Sequence, residues 1–229
     1  MKKFLADIYK HICLVNGLIT SRANANRRDT AVKMHTPPGE TWLADYQIKH
    51  YNMAVKHALD RTHAVDIGAH IGIWTQRYAR DFHRVTAIEP INSTYLEQNT
   101  NDLDNVTIYP VGLSNTPGTL YAHNPGTLTA HTELHSTKHT ENARAVEVIT
   151  LDSLKLTEVS LLKIDTQGLE RQVLEGAQHT IHTHKPLIHI ETRSQELLEW
   201  IEHTYDYKRV DRYIKDWVLL PTQTADANR

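Results

Sequence analysis

Hydrophobic and polar positions along the chain follow two periods, which predict strands and helices in turn. Short runs of β-branched and apolar residues, typical of buried strands, fall at 64–67, 84–88, 106–109, 159–164 and 187–190. The segments between them mostly carry helical spacing, as at 168–182, where apolar residues recur on one side. Strands that alternate with helices favour right-handed crossovers, so we expect an α/β fold with a doubly wound, largely parallel sheet.

The N-terminal segment has a different pattern. Apolar residues at 4, 5, 8, 12 and 15 recur every three or four positions and predict an amphipathic helix. Residues 21–41 are polar and contain Pro37-Pro38-Gly39, a composition typical of an exposed arm or linker. We therefore expect an N-terminal helical extension and arm over 1–41, followed by the main domain over 42–229.

Two further segments interrupt the strand–helix alternation. Residues 113–158 are rich in Gly, Asn, Thr and His, and we expect a β-hairpin or long loop inserted between the third and fourth parallel strands. Near the end of the chain, residues 208–213 and 217–220 flank Lys215-Asp216, which predicts a hairpin that adds antiparallel edge strands.

Composition narrows the functional classes. The chain has 229 residues with a formal net charge of −2 at pH 7, and seven basic residues lie in its first 33 positions. A near-neutral chain without a basic stripe disfavours nucleic acid as a partner. No apolar run reaches the ~20 residues that a membrane-spanning helix needs. The single cysteine, Cys13, fits a reducing cytoplasm, where we expect the protein to act.

The first predicted strand runs into a glycine motif that carries the chemistry. Gly68 and Gly72 are separated by three residues, whereas a dinucleotide fingerprint needs G-x-G-x-x-G and a P-loop needs G-K-[ST]. Glu89 follows at the end of the second strand, where a carboxylate can accept hydrogen bonds from both ribose hydroxyls of an adenosine ligand. The spacing therefore favours a nucleoside ligand without a pyrophosphate.

Several ordered motifs resemble those of the FkbM family of S-adenosylmethionine-dependent methyltransferases. They are V-D-I-G-A-H-I-G at 65–72, A-I-E-P at 87–90, Leu96 through Asn99, Y-P-V-G-L-S-N at 109–115, L-D-S-L at 151–154, L-K-I-D-T-Q-G-L-E at 162–170 and E-G-A at 175–177. The chain departs from the family pattern at His70, where Asn is usual, and at Gln167, where Glu is usual.

The resemblance implies a Rossmann-like class I methyltransferase fold and S-adenosyl-L-methionine as cofactor. In this reading Gly68 and Gly72 admit the backbone, Asp66 orients the loop, Glu89 holds the ribose, and Val111 borders the adenine. The full set of implied cofactor-binding residues is Asp66, Gly68, Ala69, His70, Gly72, Glu89, Pro90, Val111 and Gly112.

Two carboxylates at strand ends are the candidates for catalysis. Asp165 ends the fourth parallel strand and Glu191 ends the fifth, so both belong to the same rim of the sheet. Either could serve as a general base towards a hydroxyl acceptor. Asp165 could instead cap the helix that follows, and Asp152 is expected to cap or to orient a loop.

The family resemblance implies O-methylation of a small molecule or sugar. N-methylation and a non-catalytic module that only binds the cofactor stay open as alternatives. We also expect the N-terminal helix to pack on the sheet or on a second copy of the chain, with an anionic membrane surface as the other option.

The insertion contains His123, His131, His135 and His139. The last three are four residues apart, but their Thr- and Gly-rich surroundings argue against the helix that would align them, and no metal site is expected. One of these histidines could deprotonate a hydroxyl acceptor.

Overall fold

The computed structural model of the protein describes residues 34–36, 47–122, 134–135 and 143–222. The predicted N-terminal helix, most of the polar arm and three of the four insertion histidines (123, 131 and 139) lie outside these residues. In chain order the elements are α1 (Ile48–Val55), β1 (His63–Ile67), α2 (Ile73–Asp81), β2 (Arg84–Ile88), α3 (Ser93–Thr100), β3 (Val106–Tyr109), β4 (Gly112–Leu113), β5 (Gly118–Ala122), β6 (Leu134–His135), β7 (Arg144–Ile149), a short 3₁₀ helix (Leu151–Leu154), β8 (Val159–Ile164), α4 (Glu170–Glu175), α5 (Gln178–His184), β9 (Leu187–Glu191), α6 (Gln195–Tyr205), β10 (Tyr207–Tyr213) and β11 (Asp216–Pro221).

A seven-stranded sheet forms the centre of the fold, in the order β10-β11-β9-β8-β1-β2-β3. The pairs from β9 to β3 are parallel, as the alternation of strands and helices predicts. Every residue of β1 and β8 is buried, which is expected where helices cover both faces of a parallel sheet. The chain leaves β1 towards β3 and later returns to β8 on the other side of β1, so the strand order reverses between β1 and β8.

The C-terminal hairpin is present, but only one of its strands runs against the sheet. β11 pairs antiparallel with both β9 and β10, so it lies between them, and β10 at the edge runs in the same direction as β9. The expectation of two antiparallel edge strands is therefore corrected to one inserted antiparallel strand. The reason is topological, because β10 takes the outer position before the chain turns back.

The insertion contains a second, smaller sheet in the order β4-β7-β5-β6. β5 pairs antiparallel with β7 and with β6, while the two-residue β4 pairs parallel with β7. This agrees with the predicted hairpin between the third and fourth parallel strands. Ala122, Val146 and Val148 form the small buried cluster of this sheet.

The helix predicted over 168–182 is two helices, α4 and α5, with a break at Gly176. A Cβ at Gly176 would lie 2.2 Å from the carbonyl oxygen of Ser114, so the chain needs glycine to pass this close. Asp152 accepts bonds from the backbone N–H groups of His179 and Thr180 at 2.9 Å and thereby caps α5, as predicted for this residue. The motifs E-G-A, L-S-N and L-D-S-L therefore meet at one packing point.

Among the described residues, the structure contains no helix that is long and apolar enough to cross a membrane.

Candidate functional site

A cleft of about 1100 Å³, counting its open mouth, lies at the carboxyl ends of the central strands. Ligands bind at this edge of doubly wound sheets, where the strand order reverses. We call one side of the cleft the loop end, formed by the 68–70 turn and Glu89. The neighbouring strand ends β8 and β9 carry Asp165 and Glu191, which with Lys215 form what we call the hairpin end, because Lys215 comes from the turn between β10 and β11. The two ends meet where Gly68 lies against the backbone of Asp165.

The 68–72 loop that follows β1 is shaped by two glycines. Gly68 has a φ of +78°, and a Cβ there would lie 1.9 Å from the carbonyl oxygen of Asp165. The N–H groups of Gly68 and Ala69 donate to Ile88 O at 3.0 and 3.1 Å, which holds the loop against the end of β2. Gly72 has a φ of +92° and immediately precedes α2. Any residue with a Cβ at position 68 would displace the backbone of Asp165, directly after β8, so this position requires glycine.

Glu89 is the buried carboxylate at the end of β2. Its Oε2 accepts a bond from the His70 N–H at 2.8 Å, and its Oε1 accepts bonds from the N–H groups of Ile91 and Asn92 at 2.7 and 3.0 Å. Burial raises the pKa of Glu89, and these three donors and the charge of Lys163 oppose that rise. The side chain thus links the glycine loop to the turn after β2.

Lys163 is a buried lysine next to the carboxyl end of β8. Its Nζ lies 3.2 Å from Asp66 Oδ1, donates to Gly68 O at 3.1 Å, and is 3.7 Å from Asp165 Oδ2. Burial alone lowers the pKa of a lysine, but the charges of Asp66 and Asp165 outweigh it, so the pKa of Lys163 is raised. Asp66 is fully buried and also accepts a bond from Thr75 Oγ1 at 2.7 Å. The ion pair ties β1, β8 and the glycine loop together.

Asp165 lies immediately after β8 and its side chain lines the cleft. Its Oδ1 accepts a bond from Gln167 Nε2 at 2.7 Å. The capping role that was open for Asp165 is not observed: the N-cap residue of α4, Leu169, makes no side-chain cap bond, and Glu170 Oε1 accepts bonds from the N–H groups of Thr166 and Gly168, in the loop before the helix, at 3.2 and 2.9 Å. Asp165 is therefore available to the cleft.

Glu191 ends β9 on the same rim and forms an ion pair with Lys215 through its Oε1. Burial raises the pKa of Glu191, the negative charge of Asp165 raises it further, and Lys215 acts in the opposite direction. Lys215 Nζ donates a hydrogen bond to Glu191 Oε1, and this bond links the C-terminal hairpin, which carries Lys215, to the end of β9. Backbone pairing of Asp216 with Glu191 fixes the hairpin beside the cleft.

The family model for the methyltransferase FkbM domain matches residues 66–218. The chain belongs to the FkbM methyltransferase family. This match covers the end of β1, the glycine loop, the parallel strands β2, β3, β8 and β9, and most of the C-terminal hairpin. Among curated proteins, no match was found.

Solved structures agree with this fold. The methyltransferase FkbM from Methylobacillus flagellatus KT superposes with a TM-score of 0.53 at 21% identity, over 77% of this chain and 50% of that one. The chain thus spans about half the length of that relative. The proposed methyltransferase yhhF from Escherichia coli superposes with a TM-score of 0.51 at 11% identity, over 83% and 92% of the two chains. These likenesses show the class I methyltransferase fold.

Most of the predicted site residues of this FkbM methyltransferase line the cleft. They are Gly68, Ala69, His70, Glu89, Pro90, Val111, Gly112, Asp165 and Glu191. Asp66 and Gly72 do not line it. Asp66 lies behind the loop with Lys163, and a Cβ at Gly72 would lie 2.8 Å from Leu96 Cδ1, so this glycine lets α2 and α3 pack closely.

Sequence reasoning did not place several polar and aromatic residues that line the cleft, among them Gln47, Trp74, Lys163 and Lys215. Lys163 had a signal, because a charged residue inside an apolar strand is buried only when it is paired. Trp74 Nε1 donates to Gln47 Oε1 at 2.7 Å, and this pairing between α2 and a residue 27 positions earlier has no sequence pattern.

One insertion histidine falls within the described residues. His135 lies in β6 opposite Tyr121 and is exposed. Leu134, its neighbour, lines the cleft. In the part of the chain that the structure describes, no three His, Cys, Asp or Glu side chains are grouped as metal ligands. The insertion therefore contributes an apolar side chain to the cleft next to Gly112.

Proposed function

We propose that this protein transfers a methyl group from S-adenosylmethionine to a hydroxyl group of a small molecule or sugar. The observation that carries the proposal is the pairing, in one cleft, of a glycine loop and buried Glu89 at one end with the carboxylates Asp165 and Glu191 at the other. Membership of the FkbM methyltransferase family supports methyl transfer, and the oxygen acceptor comes from the family resemblance.

The residues at the loop end fit a nucleoside. A carboxylate has about four lone-pair positions, and backbone N–H groups occupy three of those of Glu89. Oε2 keeps the capacity for one further bond, which suits a ribose hydroxyl. Pro90, Ile91, Val111 and Leu134 border this end of the cleft and offer apolar contacts to a purine ring.

When bound, S-adenosylmethionine supplies a methyl group on a positively charged sulfur, so that a C–O bond forms as the C–S bond breaks. The protein must then hold the acceptor hydroxyl in line and take up its proton. We assign the proton to Asp165 Oδ2, because Oδ1 accepts a hydrogen bond from Gln167 at 2.7 Å, whereas Oδ2 lies 3.7 Å from its ion-pair partner Lys163 Nζ. Glu191 positions the acceptor from the neighbouring strand, and its bond to Lys215 keeps the carboxylate directed along the rim.

A second candidate is a module that binds the cofactor without transfer. Gln167 favours it, because its amide donates to Asp165 at the position where the family pattern usually has a carboxylate. This bond occupies Asp165 Oδ1 and leaves that carboxylate one oxygen fewer for an acceptor hydroxyl. The two candidates share the loop end and differ in what happens at the hairpin end.

The test has two stages. Calorimetric titration with S-adenosylmethionine, S-adenosylhomocysteine and NAD is expected to show binding of the two sulfur nucleosides and not of NAD. Glu89→Gln should weaken that binding, whereas Glu97→Gln, at an exposed position of α3, should leave it unchanged. Absence of nucleoside binding by the unaltered protein would overturn the cofactor assignment.

The second stage is an acceptor screen that measures S-adenosylhomocysteine formation with a panel of hydroxylated compounds and glycosides. Transfer that Asp165→Asn abolishes, with cofactor binding retained, would support the enzyme. Tight cofactor binding without transfer to any acceptor, including amines, would favour the binding module.

A further inference from the structure

Residues 34–36 belong to the polar arm by sequence, but they lie against the main domain. They lie in the same compact unit as the described residues of the main domain. This segment contacts the domain next to the 68–72 loop.

Asn99, near the end of α3, makes that contact with its whole side-chain amide. Its Oδ1 accepts a bond from the His35 N–H at 2.5 Å, and its Nδ2 donates to His35 O at 2.8 Å. This two-bond pattern imitates one rung of a β-ladder between a side chain and a backbone. The His35 side chain is itself exposed, so the backbone is what Asn99 recognises.

The same amide also holds the glycine loop. Asn99 Nδ2 donates to Ile71 O at 2.7 Å, and Asn99 Cβ lies within 3.9 Å of a Cβ built on Gly72. Gln76 adds a second tie, because its Nε2 donates to Asn99 O at 2.7 Å and to Met34 Sδ at 3.3 Å. Both Asn99 and Gln76 are only 6% exposed.

We propose that Asn99 is a positioning residue that fixes the methyl-donor loop by pairing it with the His35 backbone, so that the 34–36 segment is part of the site's support. An amide is the side chain that this role needs, because it must accept from one group and donate to two. A carboxylate cannot donate, and a hydroxyl cannot span both carbonyls. The proposal rests on the proposed function only for the identity of the ligand that the loop contacts.

The experiment keeps the full chain and compares His35→Pro, Asn99→Ala and the double variant. Proline removes the His35 N–H. Because the His35 side chain is exposed, its replacement should not disturb the packing of the domain. Two controls are matched. His35→Ala keeps the N–H, and Asn105→Ala removes a half-buried amide that donates to Ala79 O and Phe82 O at the C-terminal end of α2.

The first readout is amide hydrogen exchange of the ligand-free protein at His70 and Gly72, whose N–H groups donate to Glu89 and Ala69. Loss of the Asn99 hydrogen bonds should speed exchange there roughly tenfold in Asn99→Ala and several-fold in His35→Pro. The double variant should equal Asn99→Ala, because both changes remove the same link. His35→Ala should exchange like the unaltered protein.

The second readout is the Kd for S-adenosylmethionine, which should rise in parallel with loop exchange in the two single variants. Exchange at positions 70 and 72 that stays unchanged in His35→Pro, or that rises equally in Asn105→Ala, would overturn the proposal. Additive effects in the double variant would also overturn it. Failure of the unaltered protein to bind the nucleoside would overturn the proposed function and leave the exchange result to decide the role of Asn99.

Discussion

The loop end and the hairpin end of the cleft hold similar carboxylates by different means. Glu89 is fixed by three backbone N–H groups, two of which come from the turn that directly follows it. Glu191 is held by one long side chain, Lys215, from a hairpin 24 residues away in sequence. Backbone donors leave the Glu89 carboxylate little conformational freedom. The lysine that holds Glu191 has several rotatable bonds, so that carboxylate can shift together with its partner. The loop end suits an invariant ligand, and the hairpin end suits acceptors of varied shape.

The largest effect should come from Gly68→Ala at the loop end. The new Cβ would overlap Asp165 O at 1.9 Å in a backbone conformation that alanine adopts poorly. We expect a loss of about 4 kcal/mol in the free energy of unfolding and no measurable methyl-donor binding. Urea unfolding and calorimetry check this.

Two other glycines serve as controls for that substitution. Gly168→Ala has only the positive φ of +108° and open space, so it should cost about 1 kcal/mol. Gly118→Ala has neither a positive φ nor a neighbour within 4 Å and should be nearly silent. Equal costs at positions 68 and 168 would show that close approach to Asp165 is unimportant.

The two lysines of the cleft should differ strongly when each is replaced by methionine. Lys163→Met leaves Asp66 buried without its cation and should cost about 3 kcal/mol of stability. Lys215→Met removes a partly exposed ion pair and should cost less than about 1 kcal/mol. Thermal and urea unfolding of both variants make the comparison, and similar losses would contradict the difference between the two ends.

Replacing each glutamate by glutamine separates the ends by ligand binding. Glu89→Gln keeps one acceptor oxygen but replaces the other with an NH2 group, which cannot accept hydrogen bonds from the backbone N–H groups around it. The Kd for S-adenosylmethionine should therefore rise about tenfold. Glu191→Gln should leave that Kd within about twofold, because it lies at the other end of the cleft. A larger effect at position 191 than at 89 would reverse the assignment of the two ends.

Glu89 should also give methyl-donor binding a pH dependence. Burial raises its pKa, so the carboxylate becomes protonated at a higher pH than the usual value of about 4.3 for glutamate. Affinity is expected to fall as the pH drops through this raised pKa. The contribution of Glu89 to the free energy of unfolding has the opposite sense. Because its pKa is higher in the folded than in the unfolded protein, this contribution is present at low pH and is lost as the pH rises through the folded-state pKa of Glu89.

Calorimetry between pH 4.5 and 7.5 measures the binding trend, and Glu97→Gln is the control. If the Glu89→Gln variant kept the same decline at low pH, another group would be responsible for it.

Gln167→Glu should have the smallest effect. The amide that donates to Asp165 Oδ1 at 2.7 Å becomes a second carboxylate on an accessible part of the rim, at a cost of about 0.5 kcal/mol. Stability should be slightly lower at pH 7 than at pH 4.5 relative to the unaltered protein. In the acceptor screen, higher transfer by this variant would show that the native glutamine restrains methyl transfer by occupying Asp165 Oδ1.

Much of the fold follows from local sequence patterns, and the comparison of the two ends shows where such patterns stop. The parallel strands match their predicted positions, because apolar β-branched runs mark buried strands wherever they pair. Gly68 and Glu89 were also predicted, since each is marked by its own local pattern: Gly68 by a glycine turn directly after a strand, and Glu89 by a carboxylate at the end of the next strand. Lys215 and Trp74 were not, because their place in the cleft depends on pairings between distant segments. The break at Gly176 was missed for the same reason, since Ser114 imposes it from another part of the chain.

The placement of β11 between β9 and β10 bears on the order in which the molecule folds. β11 comes later in the chain than every other strand of the large sheet, yet it fills an inner position. During synthesis the earlier strands can pair as they emerge, but the edge of β9 stays open until residues 216–221 arrive. An open strand edge is a template for pairing with another chain. Lys215, which precedes β11, reaches the cleft only at that moment, so a nascent chain completes its glycine loop before its hairpin end and is most prone to aggregation in the interval between them.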